Sequence, residues 1–109
     1  MPNATMPNAV LVDTHCHVDL YPDAAPILTA IAAHRVLVIA VTNAPSVFFH
    51  TQALALRHPY LLAAVGLHPE LVATHGQEID RMLPLLEETQ FVGEVGLDYG
   101  NRSHPLREE

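Results

Sequence analysis

The sequence predicts an α/β fold built on a parallel sheet, and three observations lead to this prediction. Four apolar runs recur at a nearly even interval, over residues 9–12, 36–41, 61–65 and 91–95. Stretches with helical spacing of apolar residues separate the runs. The second run has no polar alternation and is rich in Val and Ile, which is typical of a strand covered on both faces.

Three helices are expected between the four strands. Asp23 can cap the first helix, and either Asn43 or Ser46 can begin the second. The third covers about residues 77–88, where Pro84 is expected to kink or split it. The side chains expected to face the sheet are Ile27, Leu28 and Ile31 in the first helix, Phe49, Ala53 and Leu56 in the second, and Ile79, Met82, Leu83 and Leu86 in the third.

The resulting order, βαβαβαβ, implies parallel strands joined by right-handed crossovers. Two architectures fit this order: a small doubly wound sheet, or the first half of a (β/α)8 barrel. A complete barrel needs about 250 residues, so in the second case the chain is truncated. Residues 1–8, with a repeated MPNA pattern, are expected to form a disordered extension, and residues 9–109 the partial barrel domain.

Composition limits the function classes. The formal net charge is −7 and lysine is absent, which argues against binding nucleic acid through a basic surface. Phosphate chemistry at a bound metal ion stays open. A lone cysteine, Cys16, excludes an intrachain disulfide and suits a reducing compartment. No secretory signal or membrane-spanning run is present, so a soluble cytoplasmic protein is expected.

The first predicted strand ends in the strongest candidate site. Asp13, His15, His17 and Asp19 alternate along the chain and are therefore expected to share one face. Two imidazoles at this spacing can bind one divalent ion at the end of a strand, where α/β barrels carry their catalytic residues. The alternative is a hydrogen-bonded histidine pair without a metal. Cys16 alternates away from this face and is expected to pack against a helix.

Further candidates follow the third and fourth strands. Glu94 stands inside an apolar strand, and a buried carboxylate must be paired or bind a metal. It can reach the same end of the sheet as His15 and His17, which favours a metal site over a carboxylate bonded to local amides. His68 either contacts substrate or is held by the following proline turn, and these two alternatives stay open. Asp98 is a weaker candidate at the fourth strand end.

Three segments, VDTHCHVDLYPD, AVGLHPE and FVGEVGLDY, occur in this order. They resemble the amino-terminal half of TatD-family metal-dependent deoxyribonucleases over about residues 10–100. The compact members found in Qat-type bacterial anti-phage systems are an especially close likeness. The resemblance implies the first half of a (β/α)8 TIM-type barrel of the metal-dependent hydrolase kind, with two divalent ions (Mg, Mn or Zn) at the carboxyl ends of its strands.

The resemblance also implies residue roles. His15 and His17 match the histidines of the first metal, and Glu94 matches the catalytic carboxylate that bridges the two ions. His68 and Asp98 match substrate-binding positions at the mouth of the barrel. The family draws two more histidines and an aspartate from later strands, for which these 109 residues hold no counterpart.

Three functional hypotheses follow from the sequence. The first is a hydrolase that cleaves DNA phosphodiesters with a metal-activated water, acting in anti-phage defence. Glu94 stands where many amidohydrolases carry a carbamylated lysine, so phosphoester hydrolysis is favoured over cyclic amide hydrolysis. The second is an inactive half-barrel fragment or interaction subunit that binds at most one ion. Its open sheet edges would pair with a second copy or another chain. The third is a small flavodoxin-like domain with one His-ligated ion.

Overall fold

The structure is a computed structural model that describes residues 7–97. Within this range, four strands alternate with helices, as the apolar runs predict. The strands are β1 (Leu11–Cys16), β2 (Val36–Ala40), β3 (Leu61–Leu67) and β4 (Phe91–Val95). The α-helices are α1 (Ala25–Ala33), α2 (Pro45–Arg57), α3 (Val72–His75) and α4 (Ile79–Leu85). Short 3-10 turns lie at Val18–Leu20, Pro69–Leu71 and Gly76–Glu78.

The strands lie in the order β1-β2-β3-β4, and each pairs in parallel with the next. A doubly wound sheet instead reverses its strand order at a switch point. The sequential order therefore excludes the flavodoxin-like alternative and confirms the half-barrel, a curled sheet with helices on its outer face. None of the helices within residues 7–97 is long and apolar enough to cross a bilayer.

The core lies between the outer face of the sheet and the helices, in two clusters. One cluster packs α1 against β2, and the other packs α2 and α4 against β3. The buried members of the first are Val18, Leu28, Ile31, Val38, Ala40 and Leu61, and those of the second are Phe48, Ala63, Val65, Leu67, Met82 and Leu85. The first helix thus faces the sheet with the predicted Leu28 and Ile31.

Helix α2 faces the sheet with a different side from the one predicted. Phe48 and Thr51 are fully buried, whereas Phe49 and Leu56 are 59% and 80% exposed. The prediction was wrong because Ala44, the N-cap residue of α2, is buried. The position of this residue sets the rotation of the helix about its own axis. Apolar spacing alone does not distinguish two stripes that are one residue apart.

The start of α2 also differs from the prediction. Neither Asn43 nor Ser46 caps the helix, whose N-cap residue is Ala44. A carboxylate distant in sequence takes this role instead, because the Ser46 backbone N–H donates to Glu78 Oε1 at 2.9 Å. At α1 the prediction is confirmed in substance, since Asp23 Oδ1 accepts the Ala25 N–H at 3.0 Å.

The predicted third helix is shorter than residues 77–88 and is turned differently. Helix α4 covers only Ile79–Leu85, and its buried side chains are Met82 and Leu85. Leu83 and Leu86 were expected to face the sheet, but they are 61% and 39% exposed. Successive side chains on a helix are separated by about 100° around its axis. A small rotation of α4 about this axis therefore turns Leu85 toward β3.

Strand β1 contains a bulge that alters its alternation. Asp13 pairs with Val38 and Cys16 pairs with Ala40, so one extra residue is accommodated on β1. Asp13 and Cys16 consequently line the same pocket beside α1, together with Ile31. Asp13 also lines a second pocket with His15 and His17, in keeping with the expectation that these side chains share one face.

Candidate metal centre

The carboxyl ends of β1 and β4 bring His15, His17 and Glu94 together. Nε2 of His17 lies 2.7 Å from Oε2 of Glu94, and Nε2 of His15 lies 3.3 Å from the same oxygen. One ligand atom from each of the three residues lies within 4.8 Å of the others. The parallel topology thus assembles the cluster that the sequence placed at this edge. Their role as metal ligands stays a prediction.

The surroundings of the Glu94 carboxylate suit a cation. Oε2 is buried and has no hydrogen-bond partner among residues 7–97, although Nε2 of His17 and Nε2 of His15 both lie near it. A buried oxygen with lone pairs facing other lone-pair donors is unfavourable unless a cation lies among them. Two imidazole nitrogens and one carboxylate oxygen are a donor set that divalent transition metals accept.

The cluster is open on one side. The His15 side chain is 55% exposed, while those of His17 and Glu94 are each 23% exposed. The two imidazole rings meet edge to face, with centroids 5.1 Å apart. A ligand can therefore approach past His15, while His17 and Glu94 are held more deeply.

His68 lies beside the same carboxylate. Its Nε2 atom is 3.1 Å from Oε1 of Glu94. Its Nδ1 atom accepts the backbone N–H of Glu70 at 3.0 Å, at the start of the Pro69–Leu71 turn. The proline turn therefore holds His68, which is one of the two alternatives that the sequence left open for this residue. Substrate contact by His68 stays a prediction, and Asp98 lies outside the described residues.

Thr42 is the supporting residue that the sequence reasoning missed. It is fully buried at the end of β2. Its backbone carbonyl accepts the Glu94 N–H at 3.0 Å, and its own N–H donates to the Gly93 carbonyl at 3.0 Å. Its hydroxyl donates to the Ala64 carbonyl at 2.9 Å. Thr42 thereby fixes the backbone that carries Glu94. These are mainly backbone contacts, so no side-chain pattern marks them.

Glycines allow the strands to approach each other closely here. A β-carbon at Gly66 would collide with the backbone of Gly93 and Glu94, and one at Gly93 would lie 3.0 Å from Val41 Cγ1. At Gly96, by contrast, the nearest atom to a β-carbon would lie at an ordinary 3.5 Å. The close approach is therefore confined to Gly66, in the AVGLHPE segment, and Gly93.

Cys16 lies next to the cluster but faces the core. Burial raises the pKa of its thiol, and the negative charges of Asp13 and Asp19 raise it further. The side chain packs against the apolar cluster around Leu28 and Ile31. A protonated, packed thiol is a poor nucleophile and a poor metal ligand, which agrees with the predicted packing role.

The sequential parallel sheet, with two histidines and a glutamate gathered at the carboxyl ends of its strands, places the chain in the class of (β/α)8-barrel folds as the first half of such a barrel. Residues 12–109 match the profile of the family described as TatD related DNase, and the chain belongs to this family. The family resemblance read from the sequence is thereby confirmed, whereas the likeness to the Qat-system members stays a prediction.

One curated relative and its crystal structure show how much of a whole family member this chain corresponds to. The chain is 33% identical over 97 residues to the uncharacterized metal-dependent hydrolase YjjV of Escherichia coli (strain K12). That alignment covers 80% of this chain and 37% of the relative. The crystal structure of YjjV, a TatD homolog from Escherichia coli K12, superposes with a TM-score of 0.69 at 32% identity. The superposition covers 81% of this chain and 38% of that one. The chain thus spans little more than a third of its relative.

Proposed function

We propose that this chain hydrolyses DNA phosphodiesters with a divalent metal ion held by His15, His17 and Glu94. The observation that carries the proposal is the buried Oε2 of Glu94, which has two imidazole nitrogens beside it and no hydrogen bond among the described residues. A bound divalent ion supplies Lewis-acid polarisation of a phosphoryl oxygen and lowers the pKa of a coordinated water.

The residues of the chain have separate tasks in this proposal. His17 and Glu94, both mostly shielded, hold the ion, while the exposed His15 completes its coordination at the open side. A net charge of −7 makes the protein surface repel a nucleic acid, so phosphate recognition has to take place at the ion itself. Two nitrogen ligands favour Mn²⁺ or Zn²⁺ over Mg²⁺, which prefers oxygen ligands.

A hydrolysis assay with matched variants tests the proposal. The purified 109-residue chain is incubated with single-stranded DNA and Mn²⁺, beside Glu94→Gln and the control Glu87→Gln, which changes an exposed carboxylate outside the cluster. We expect cleavage by the wild type and the control, and its loss in the Glu94 variant. Folded protein that binds Mn²⁺ but leaves the DNA intact contradicts the nuclease proposal. Cleavage that survives Glu94→Gln contradicts the assignment of the site.

We further propose that the chain acts in the cytoplasm and in defence against phage. The support is the likeness of its three motifs to the compact anti-phage members, together with the lone cysteine, Cys16, which has no partner for an intrachain disulfide. Phage plating on cells that express the wild-type chain, or its Glu94→Gln version, tests the role. Equal plaque counts on both strains contradict it.

A second candidate function is that of an interaction subunit, and the edges of the sheet favour it. In the described part of the chain, β1 and β4 each pair on one side only, and both expose large apolar side chains. These are Val10, Leu11 and Val12 at the first edge, and Val92, Val95 and Leu97 at the fourth.

We propose that a second copy of the chain covers these edges, β4 of each copy lying beside β1 of the other, since all four strands are parallel and a closed barrel has no edge. Sedimentation velocity of the wild type and of Leu11→Lys tests this candidate. We expect a dimer that the substitution converts to a monomer. A wild-type monomer at micromolar concentration contradicts it.

A further inference from the structure

We propose that His68 is a positioning residue that orients the Glu94 carboxylate at the metal site. The inference rests on the proposed metal site but not on any particular substrate. It assigns His68 a role toward Glu94, in place of direct contact with the ion.

The hydrogen bonds of the His68 ring determine where its proton lies. The backbone N–H of Glu70 donates to Nδ1 at 3.0 Å, and an amide N–H can donate only to an unprotonated nitrogen. In the neutral ring the proton is therefore on Nε2. That nitrogen lies 3.1 Å from Oε1 of Glu94, within hydrogen-bond distance, so the ring offers a donor to the carboxylate.

The position of the His68 ring is fixed from its backbone as well. Its own N–H donates to the carbonyl of Asn43 at 2.7 Å, which ties the end of β3 to the loop after β2. Pro69, the next residue, restricts the chain that follows. The side chain is only 26% exposed. A ring held at Nδ1, at its backbone and beside Pro69 is a rigid support for a carboxylate.

The two oxygens of Glu94 consequently have different surroundings. Oε1 faces an N–H donor, whereas Oε2 faces the two imidazoles of His15 and His17 and has no hydrogen-bond partner among residues 7–97. Groups that orient a metal ligand typically change metal affinity 10- to 100-fold when they are removed. Without His68 the carboxylate can rotate, and the three ligand atoms lose their common orientation.

Metal titrations on matched variants test the inference without DNA. His68→Leu removes both ring nitrogens, His68→Gln keeps an N–H donor of similar reach, and the control His50→Leu replaces an exposed histidine on α2. By calorimetry with Zn²⁺ or Mn²⁺, we expect affinity to fall roughly tenfold in His68→Leu. We expect His68→Gln to recover most of this loss and His50→Leu to match the wild type. Equal affinity for the wild type and a folded His68→Leu overturns the inference.

Nitrogen-15 imidazole spectra of the metal-free wild type provide a test that does not depend on any variant folding. We expect the His68 ring as the Nε2–H tautomer, and a proton on Nδ1 overturns the inference. The outcomes also separate this inference from the proposed function. Tight ion binding that weakens in His68→Leu, without DNA cleavage by the wild type, overturns only the nuclease proposal. A wild type that binds neither ion overturns the metal site and with it the role of His68.

Discussion

The α-carbon of Gly66 lies against the backbone nitrogen of Glu94, so closely that a β-carbon at Gly66 would collide with it. Strands β3 and β4 meet at this point, directly below the candidate metal site. The position of the Glu94 carboxylate therefore depends on a glycine in the neighbouring strand. The same contact connects the stability of the half-barrel to its capacity to bind a metal ion.

Replacing Gly66 by alanine should both destabilise the fold and weaken metal binding. A methyl group here has to displace the backbone of β4, and overpacking of this kind costs about 1–3 kcal/mol of unfolding free energy. The matched control is Gly96→Ala, where the new methyl group would meet Pro69 at an ordinary 3.5 Å. Urea unfolding followed by circular dichroism measures the stability, and calorimetry with Mn²⁺ measures the binding. Equal unfolding midpoints for the two variants would contradict the close approach.

Two buried threonines should respond in opposite ways to the same substitution. Thr42 and Thr51 are both fully buried, but only Thr42 uses its hydroxyl, which donates to the Ala64 carbonyl. The hydroxyl of Thr51 has no partner among the described residues. Thr42→Val should cost about 1–3 kcal/mol because it removes a buried hydrogen bond to the Ala64 carbonyl, while Thr51→Val should be neutral or stabilising by up to about 1 kcal/mol.

Chemical denaturation of both valine variants measures this difference, and Thr42→Ser provides a control that retains the hydroxyl. If the Thr42→Val and Thr51→Val proteins lose equal stability, the hydrogen bond from Thr42 is not what holds the end of β2.

Glu78 should stabilise α2 from outside that helix. Its carboxylate accepts the Ser46 N–H at 2.9 Å, near the positive end of the helix dipole. Glu78→Ala should therefore cost about 1 kcal/mol or more of unfolding free energy, as removal of a capping side chain does. Glu78→Gln keeps an accepting oxygen and should lose less. Thermal unfolding compares them with Glu88→Ala, an exposed control near the end of α4; equal losses in all three variants would exclude a capping role.

Replacing Arg35 by glycine should stabilise the fold. It has a φ of 53°, the left-handed conformation, at the turn from α1 into β2. That conformation costs a non-glycine residue about 1–2 kcal/mol, and part of the gain is lost to the greater freedom of glycine in the unfolded chain. Arg35→Gly should therefore raise the unfolding free energy by about 0.5–1 kcal/mol. Arg57→Gly, at the end of α2, should lower it by a similar amount, and a lower midpoint for Arg35→Gly would contradict the prediction.

Residues with a regular position in the sequence pattern could be predicted. The candidate ligands His15, His17 and Glu94 lie at or directly after the carboxyl ends of β1 and β4, and parallel strands carry such ends to one edge of the sheet. Thr42 and Gly66 could not be found in this way. Both act on the backbone of Glu94, and only the packed strands show which backbone atoms meet.

The faces of the helices show the same limit. Phe48 and Phe49 are adjacent phenylalanines in α2, and either stripe of apolar residues gives an acceptable helix in isolation. The structure buries Phe48 and leaves Phe49 more than half exposed. The rotation of a helix depends on where the chain leaves the preceding strand, and this is a property of the assembled sheet.

The sequence by itself determined the alternation of strands and helices, the parallel sheet and the three candidate ligands at its carboxyl edge, because hydrophobic periodicity and chain connectivity are local properties. The sequential strand order, which distinguishes a half-barrel from a doubly wound sheet, was decided by the tertiary structure. The tertiary structure alone decided the orientation of the Glu94 carboxylate, with His68 at one oxygen and His15 and His17 at the other. It also decided the support from Thr42 and Gly66, since contacts between distant backbones exist only after the strands have packed.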